Sequence, residues 1–232
     1  MSQRLTRKQL KRDRFIEMAT TVGAYVRDNV AVAIGGVVAL VAIIALGVKI
    51  GGSEAGNGGG NSEADRALAS AAGEYSAGDL DAGVAALQAV RTEHRGTRAA
   101  REATYLLGNA LFEAGDFAQA RTMFEEFLKK PLYDDLLADG ARIAVAACKE
   151  ETEDIAGAAA DYRALWNAPG TQSALRVQAG LAAARCARSL GDMAQALAIY
   201  DGIVAKFPLA PEVPQAKFEA MLLREAQEVP TS

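Results

Sequence analysis

Asp79, Asp116, Asp154 and Asp192 recur 37, 38 and 38 residues apart, and that near-constant period constrains the fold more than any other feature of the chain. The fragments around them, AGDLDAGVAAL, AGDFAQARTMF, TEDIAGAAADY and LGDMAQALAIY, align without gaps. An apolar residue follows each aspartate: Leu80, Phe117, Ile155 or Met193. Four residues after it comes a small one (Gly83, Ala120, Ala158, Ala196), and eight after it a large one (Leu87, Phe124, Tyr162, Tyr200). A Gly-Asp pair ends one helix with a left-handed residue and caps the next through the Asp carboxylate. The small residue lets two antiparallel helices approach, and the large one fills the groove a turn later. A period of 20–50 residues marks a stack of small supersecondary units.

The apolar spacing from residue 63 onward is helical throughout, and no stretch sustains the alternation of a half-buried strand. Helices are expected at 63–77, 79–94, 97–114, 116–129, 134–151, 154–168, 171–189 and 192–206, with a capping helix at 212–227. Gly108 marks the close-contact point on a first helix, matched by Ala71, Ala146 and Ala184 in the other units. Pro131, Pro169 and Pro208 stop the second helices of units two to four. LGNALFEAGDFAQARTMFEEFLKKP and LGDMAQALAIYDGIVAKFP resemble the tetratricopeptide repeat family. The resemblance implies an all-α, helix-pair solenoid of about four repeats plus a cap, right-handed, whose inner surface comes from each unit's first helix. Two departures stand out. The units exceed the family's usual length by three or four residues, and Glu153 replaces the turn glycine of the third unit.

Before the repeats, Val30–Val48 (VAVAIGGVVALVAIIALGV) runs nineteen residues without a charged side chain. At ~1.5 Å per residue this spans the ~30 Å hydrocarbon core of a bilayer. Seven of the eight basic residues among 1–50 precede the run, with only three acids there, whereas the rest of the chain carries 17 basic and 26 acidic side chains. Cations are retained on the cytoplasmic side, so the expected topology is N-terminus inside and residues 51–232 outside. The competing reading, a cleaved signal peptide ending near Ser53-Glu54-Ala55, calls for a shorter apolar region and a shorter basic head. Four segments follow: a basic head at 1–29, an anchor at 30–50, a linker at 51–62 with six glycines, and a repeat domain at 63–232. In the head, Phe15, Met18, Ala19, Val22 and Val26 form a helical apolar stripe. It suits either an anionic membrane surface or a cytoplasmic partner, or else the head supplies topogenic charge alone.

The sequence offers no catalytic constellation. His94 is the one histidine and reads as a helix-end surface residue. No phosphate-cradling GxxxxGK, zinc-spaced cysteine pair, HExxH or nucleophile-elbow sequence occurs. Asp134-Asp135 reads as a helix start and Lys149–Asp154 (KEETED) as a solvated turn. An acidic body disfavours nucleic acid, and neither cofactor nor metal is expected. Cys148 and Cys186 occupy equivalent places in adjacent units, where Ala110 stands in the second. Stacked helices ~9–10 Å apart exceed disulfide reach, which favours two buried thiols over a bridge. Trp166, Phe127 and Phe207 read as inter-repeat packing. The candidate partner-binding groove comprises Tyr75, Glu102, Tyr105, Asn109, Phe112, Arg185 and Arg188, an expected mixture of exposed aromatics and polar groups suited to a peptide.

The layout as a whole resembles the YfgM-type ancillary subunits of the Sec translocon. That resemblance implies a single-pass protein of the bacterial inner membrane with a periplasmic repeat domain. Such a protein would touch the translocon through its membrane segment and hand exported proteins to periplasmic chaperones. The alternative is a structural assembly or coordination factor for cell-wall or outer-membrane complexes; the chain lacks a lipobox cysteine. The basic head is longer than that resemblance leads one to expect.

Overall fold

A computed structural model describes residues 63–129 and 135–228. The expected head, anchor and linker, with Pro131 and Asp134, lie outside the described residues. Among the described residues there are nine helices and no strands: α1 Glu63–Ser76, α2 Leu80–Glu93, α3 Arg98–Glu113, α4 Phe117–Leu128, α5 Asp135–Glu151, α6 Ile155–Asn167, α7 Ser173–Ser189, α8 Met193–Lys206 and α9 Val213–Glu228. Each helix packs on the next in the chain, and α1 also meets α3 as α5 meets α7. This is a stack of four helix pairs closed by α9. No helix among the described residues is long and apolar enough to cross a membrane.

The periodic aspartates do what their spacing requires. Asp79, Asp116, Asp154 and Asp192 each precede a second helix, and each carboxylate accepts from the backbone N–H three residues on, at 2.9–3.1 Å. Such a cap contributes about 1 kcal/mol. The same residues finish the preceding helix: the N–H groups of Asp116, Asp154 and Asp192 donate to the carbonyls of Leu111, Lys149 and Ala187, all at 2.9 Å. One aspartate therefore closes one helix and opens the next. The turn needs a left-handed residue just before it, supplied by Gly78, Gly115 and Gly191 at φ 81–89° and, in the third unit, by Glu153 at φ 64°. The substitution of glycine leaves the hydrogen bonds and the register of that unit intact.

Pair closure follows the small and large positions. Ala120, Ala158 and Ala196 are completely buried, as are Leu87, Phe124 and Tyr162. A Cβ at Gly83 would lie 2.8 Å from the Tyr75 backbone, and one at Gly108 would lie 2.8 Å from the Phe124 ring. Bulk is excluded because the helix axes are drawn together at these points. Trp166 packs against Phe207, and Phe127 against Tyr105, at ring-centroid distances of 5.9 and 5.1 Å.

Candidate binding surface

The residues expected to line a groove are mostly drawn into the stack. α3 is buried nearly all round, with Ala99, Ala100, Glu102 through Ala110 and Phe112 enclosed. Tyr105 is 2 % exposed, stacked near Phe124 and Phe127 with its hydroxyl against Gly140 of α5. Phe112 packs on Phe117 at 5.1 Å. Tyr75 is 4 % exposed and donates its hydroxyl proton to Glu113 at 2.7 Å. The expectation of exposed aromatic faces at Tyr75, Tyr105 and Phe112 is corrected: all three are core residues. Burial raises the hydroxyl pKa of each tyrosine well above its ordinary value, so both stay neutral. Glu102 lies against Arg98 at 3.2 Å, and Asn109 is buried beside Tyr105.

Arg185 and Arg188 are engaged in ties between neighbouring first helices. Arg185 of α7 grips both oxygens of Glu150 on α5, at 2.9 and 2.7 Å. Arg188 of α7 reaches Glu219 of α9 at 2.5 Å. With Tyr75 to Glu113, these make three polar links between successive units. The residue four before the repeat aspartate supplies one end each time: Tyr75, Glu150 and Arg188. Lys149 pairs with Asp161 at 2.6 Å, so only the second half of the KEETED segment, Thr152–Asp154, is an exposed turn. Its first three residues belong to the last turn of α5, and Lys149 and Glu150 are held in ion pairs.

Cys148 and Cys186 are free and buried. Burial pushes both thiols up to about 12, aided at Cys186 by the Glu150 carboxylate. They are small core residues without thiolate chemistry at neutral pH. His94 caps the end of α2 through its backbone N–H to Val90. Among the described residues no three His, Cys, Asp or Glu side chains come together as a metal site would need.

Open space lies along the edge where α2 and α4 hand over to the next unit. One cavity of about 260 Å³ is bounded by Arg91 and Arg95, the Gly96–Thr97 turn, Arg101 and Thr104 of α3, and Glu126 and Phe127 of α4. Arg91 holds Glu126 at 2.6 Å. A second, of about 370 Å³, is walled by Leu128, Val145, Leu165 and Ala168, with Asp139, Arg142 and Asp161 at its polar side. Asp139 is paired with Arg142 at 2.7 Å. This edge lies away from the first-helix aromatics Tyr75, Tyr105 and Phe112 that the sequence brings forward. The signal available was the mismatch of size and charge at one repeat position, Arg91, Leu128 and Trp166.

Two segments, residues 102–131 and 178–210, match the tetratricopeptide repeat family. No curated protein matches the chain. The matched segments cover most of the second unit and most of the fourth, and both include a Gly-Asp turn, within LFEAGDFAQA and ARSLGDMAQA.

Proposed function

From two tetratricopeptide repeats set in a continuous stack of helix pairs, we propose that this chain is a membrane-tethered scaffold that binds proteins. The observation that carries the reading is the stack itself. Repeated helix pairs bury a continuous core and leave long ridges and crevices, a geometry suited to extended polypeptides. Nothing in the described surface concentrates activated nucleophiles or paired acids, and tetratricopeptide repeats generally serve as non-catalytic interaction modules, so binding is the better account than catalysis.

The tether is the uncharged run Val30–Val48, which is long enough to cross a bilayer. The excess of cations before it argues for a cytoplasmic N-terminus and a repeat domain on the far side, which in a bacterium is the periplasm. The finer reading is association with the Sec translocon through that segment, and delivery of exported proteins to periplasmic chaperones through the repeats. Its support is the order of parts: basic head, single apolar segment, glycine-rich linker, acidic solenoid. A twelve-residue, glycine-rich sequence such as 51–62 has the composition of a spacer with a reach of roughly 20 Å, which suits a solenoid working near a membrane exit site.

Affinity purification in mild detergent, with and without residues 1–50, tests both parts. Recovery of translocon subunits by the whole chain, and their loss on deletion, is the expected result. Recovery of cell-wall or outer-membrane assembly proteins with no Sec component would contradict the translocon reading.

A further inference from the structure

The two cavities and the Trp166 site are one crevice, repeated three times. Counting from the repeat aspartates, Arg91, Leu128 and Trp166 each stand twelve residues on. At the corresponding positions of the next first helix stand Arg101 and Thr104, then Asp139 and Arg142, then Val177 and Gly180. The next second helix adds Glu126 and Phe127, then Ala164 and Leu165, then Gly202 and Ile203. At the third junction the indole of Trp166 fills the space. A Cβ at Gly180 would sit 2.8 Å from the ring and one at Gly202 3.1 Å from it, so Gly180 makes room for the side chain and Gly202 relieves a tight contact with it. Lys206 Nζ lies 4.8 Å from the ring centroid, and Arg176 lies between the Trp166 and Phe207 rings at 5.9 and 5.3 Å. At the first two junctions no residue of that size occupies the position, and cavities of about 260 and 370 Å³ remain.

Resting on the scaffold reading, we infer that the first two crevices bind an extended polypeptide through an acidic side chain and a bulky apolar one. The third crevice shows what the second accepts. Trp166 is the chain's own occupant of that shape, and Leu128, Val145, Leu165 and Ala168 give the second crevice a matching apolar wall. At the first, Arg91 is already held by Glu126, and Arg95 stands exposed at the rim, where a guanidinium selects a carboxylate through charge-assisted hydrogen bonds. Only α4 separates the two: Glu126 and Phe127 line one, and Leu128 lines the other. A helix diameter of ~10 Å equals about three residues of extended chain at ~3.3 Å each. The recognised motif is therefore an Asp or Glu with a Trp, Phe or Leu three positions away, in either direction. The partner is a polypeptide in extended form, as an exported chain before folding would be.

The test uses the full chain in mild detergent and fluorescein-labelled twelve-residue peptides of Gly and Ser, carrying Glu-x-x-Trp, Trp-x-x-Glu, Lys-x-x-Trp or Glu-x-x-Ser. Fluorescence anisotropy should show saturable binding for at least one of the first two and a tenfold or greater weakening for the last two. The combined variant Leu128→Trp, Asp139→Val, Arg142→Gly, Ala164→Gly rebuilds the second crevice as the third and should abolish binding. Ala164→Glu, at an exposed position whose equivalent is already Glu126, should weaken it tenfold without altering the circular dichroism. Arg95→Glu should weaken only the acidic peptides. Equal binding by folded Ala164→Glu, or no binding to any peptide, would overturn the inference. So would binding that appears only after Leu132→Ser and Tyr133→Ser, since the chain's own segment would then be the occupant. Protein partners captured equally by wild type and Ala164→Glu would leave the scaffold reading standing while removing this one.

Discussion

Arg185 on α7 and Glu150 on α5 form a two-point ion pair across adjacent units, with hydrogen bonds of 2.9 and 2.7 Å and side chains only 24 % and 16 % exposed. Charge-assisted bonds of this kind contribute roughly 1.5–3 kcal/mol, and removing one partner strands the other. Glu150→Ala is expected to cost about 2–3 kcal/mol in urea unfolding. The double variant Glu150→Ala, Arg185→Ala should cost less than the two single losses together. A fully additive pair would mean the residues act independently and would reopen Arg185 as a ligand contact.

Glu153 holds a backbone conformation that Gly78, Gly115 and Gly191 adopt in the other turns. A non-glycine residue there bears strain of about 1 kcal/mol. Glu153→Gly should raise the unfolding free energy obtained by chemical denaturation by that amount, and Gly115→Ala should lower it by a similar one. The same measurement made on both variants checks the sign as well as the size.

Close helix approach makes a graded prediction at two glycines. A methyl at Gly83 would press on the Tyr75 backbone, whereas one at Gly108 would press on the Phe124 ring. A ring can shift by a few tenths of an ångström more readily than packed backbone. Both alanine variants should be destabilised by roughly 1–3 kcal/mol, Gly83→Ala more than Gly108→Ala. Thermal unfolding of the two, measured side by side, decides the order.

The two thiols give the fold a defined alkaline limit. An unfolded cysteine releases its proton near pH 9, whereas the folded chain holds those of Cys148 and Cys186 to about 12. Between these values the unfolded state binds fewer protons, so stability falls as pH rises, by up to about 1.4 kcal/mol per pH unit for each thiol. Below pH 9 this contribution is fully present. Buried tyrosines act in the same direction only above their ordinary value near 10. Replacing both cysteines by alanine, the residue at position 110, should therefore flatten urea-midpoint profiles between pH 9 and 10. A thiol reagent at pH 8 should label neither cysteine in the folded chain and both in urea.

The sequence made the stack legible because its strongest demands are local. A left-handed turn residue, a capping carboxylate and a small-large pair lie within twelve residues of one another, and each of the nine helices begins and ends within two residues of its expected bounds. The binding surface was less legible because it depends on non-local closure. Tyr75, Tyr105 and Phe112 are aromatic whether they face a groove or a neighbouring helix, and only the packing of α3 between α2, α4 and α1 decides that they are buried. Likewise, the partners of Arg185 and Arg188 lie 35 and 31 residues away. The junction crevices were invisible for the opposite reason: they are defined by side chains too small to fill a space that Trp166 fills elsewhere.

If a solenoid tethered by residues 30–48 binds proteins, its partners should be caught by photocrosslinking from the full chain in its native membrane, with a photoreactive residue placed at Arg95, Ala164 or within Val30–Val48. Discrete protein adducts are expected from Arg95 and Ala164, and translocon adducts from the apolar run. Recovery of the chain from the soluble fraction with residues 30–48 intact, or no protein adduct from either solenoid position, would contradict tethered protein binding.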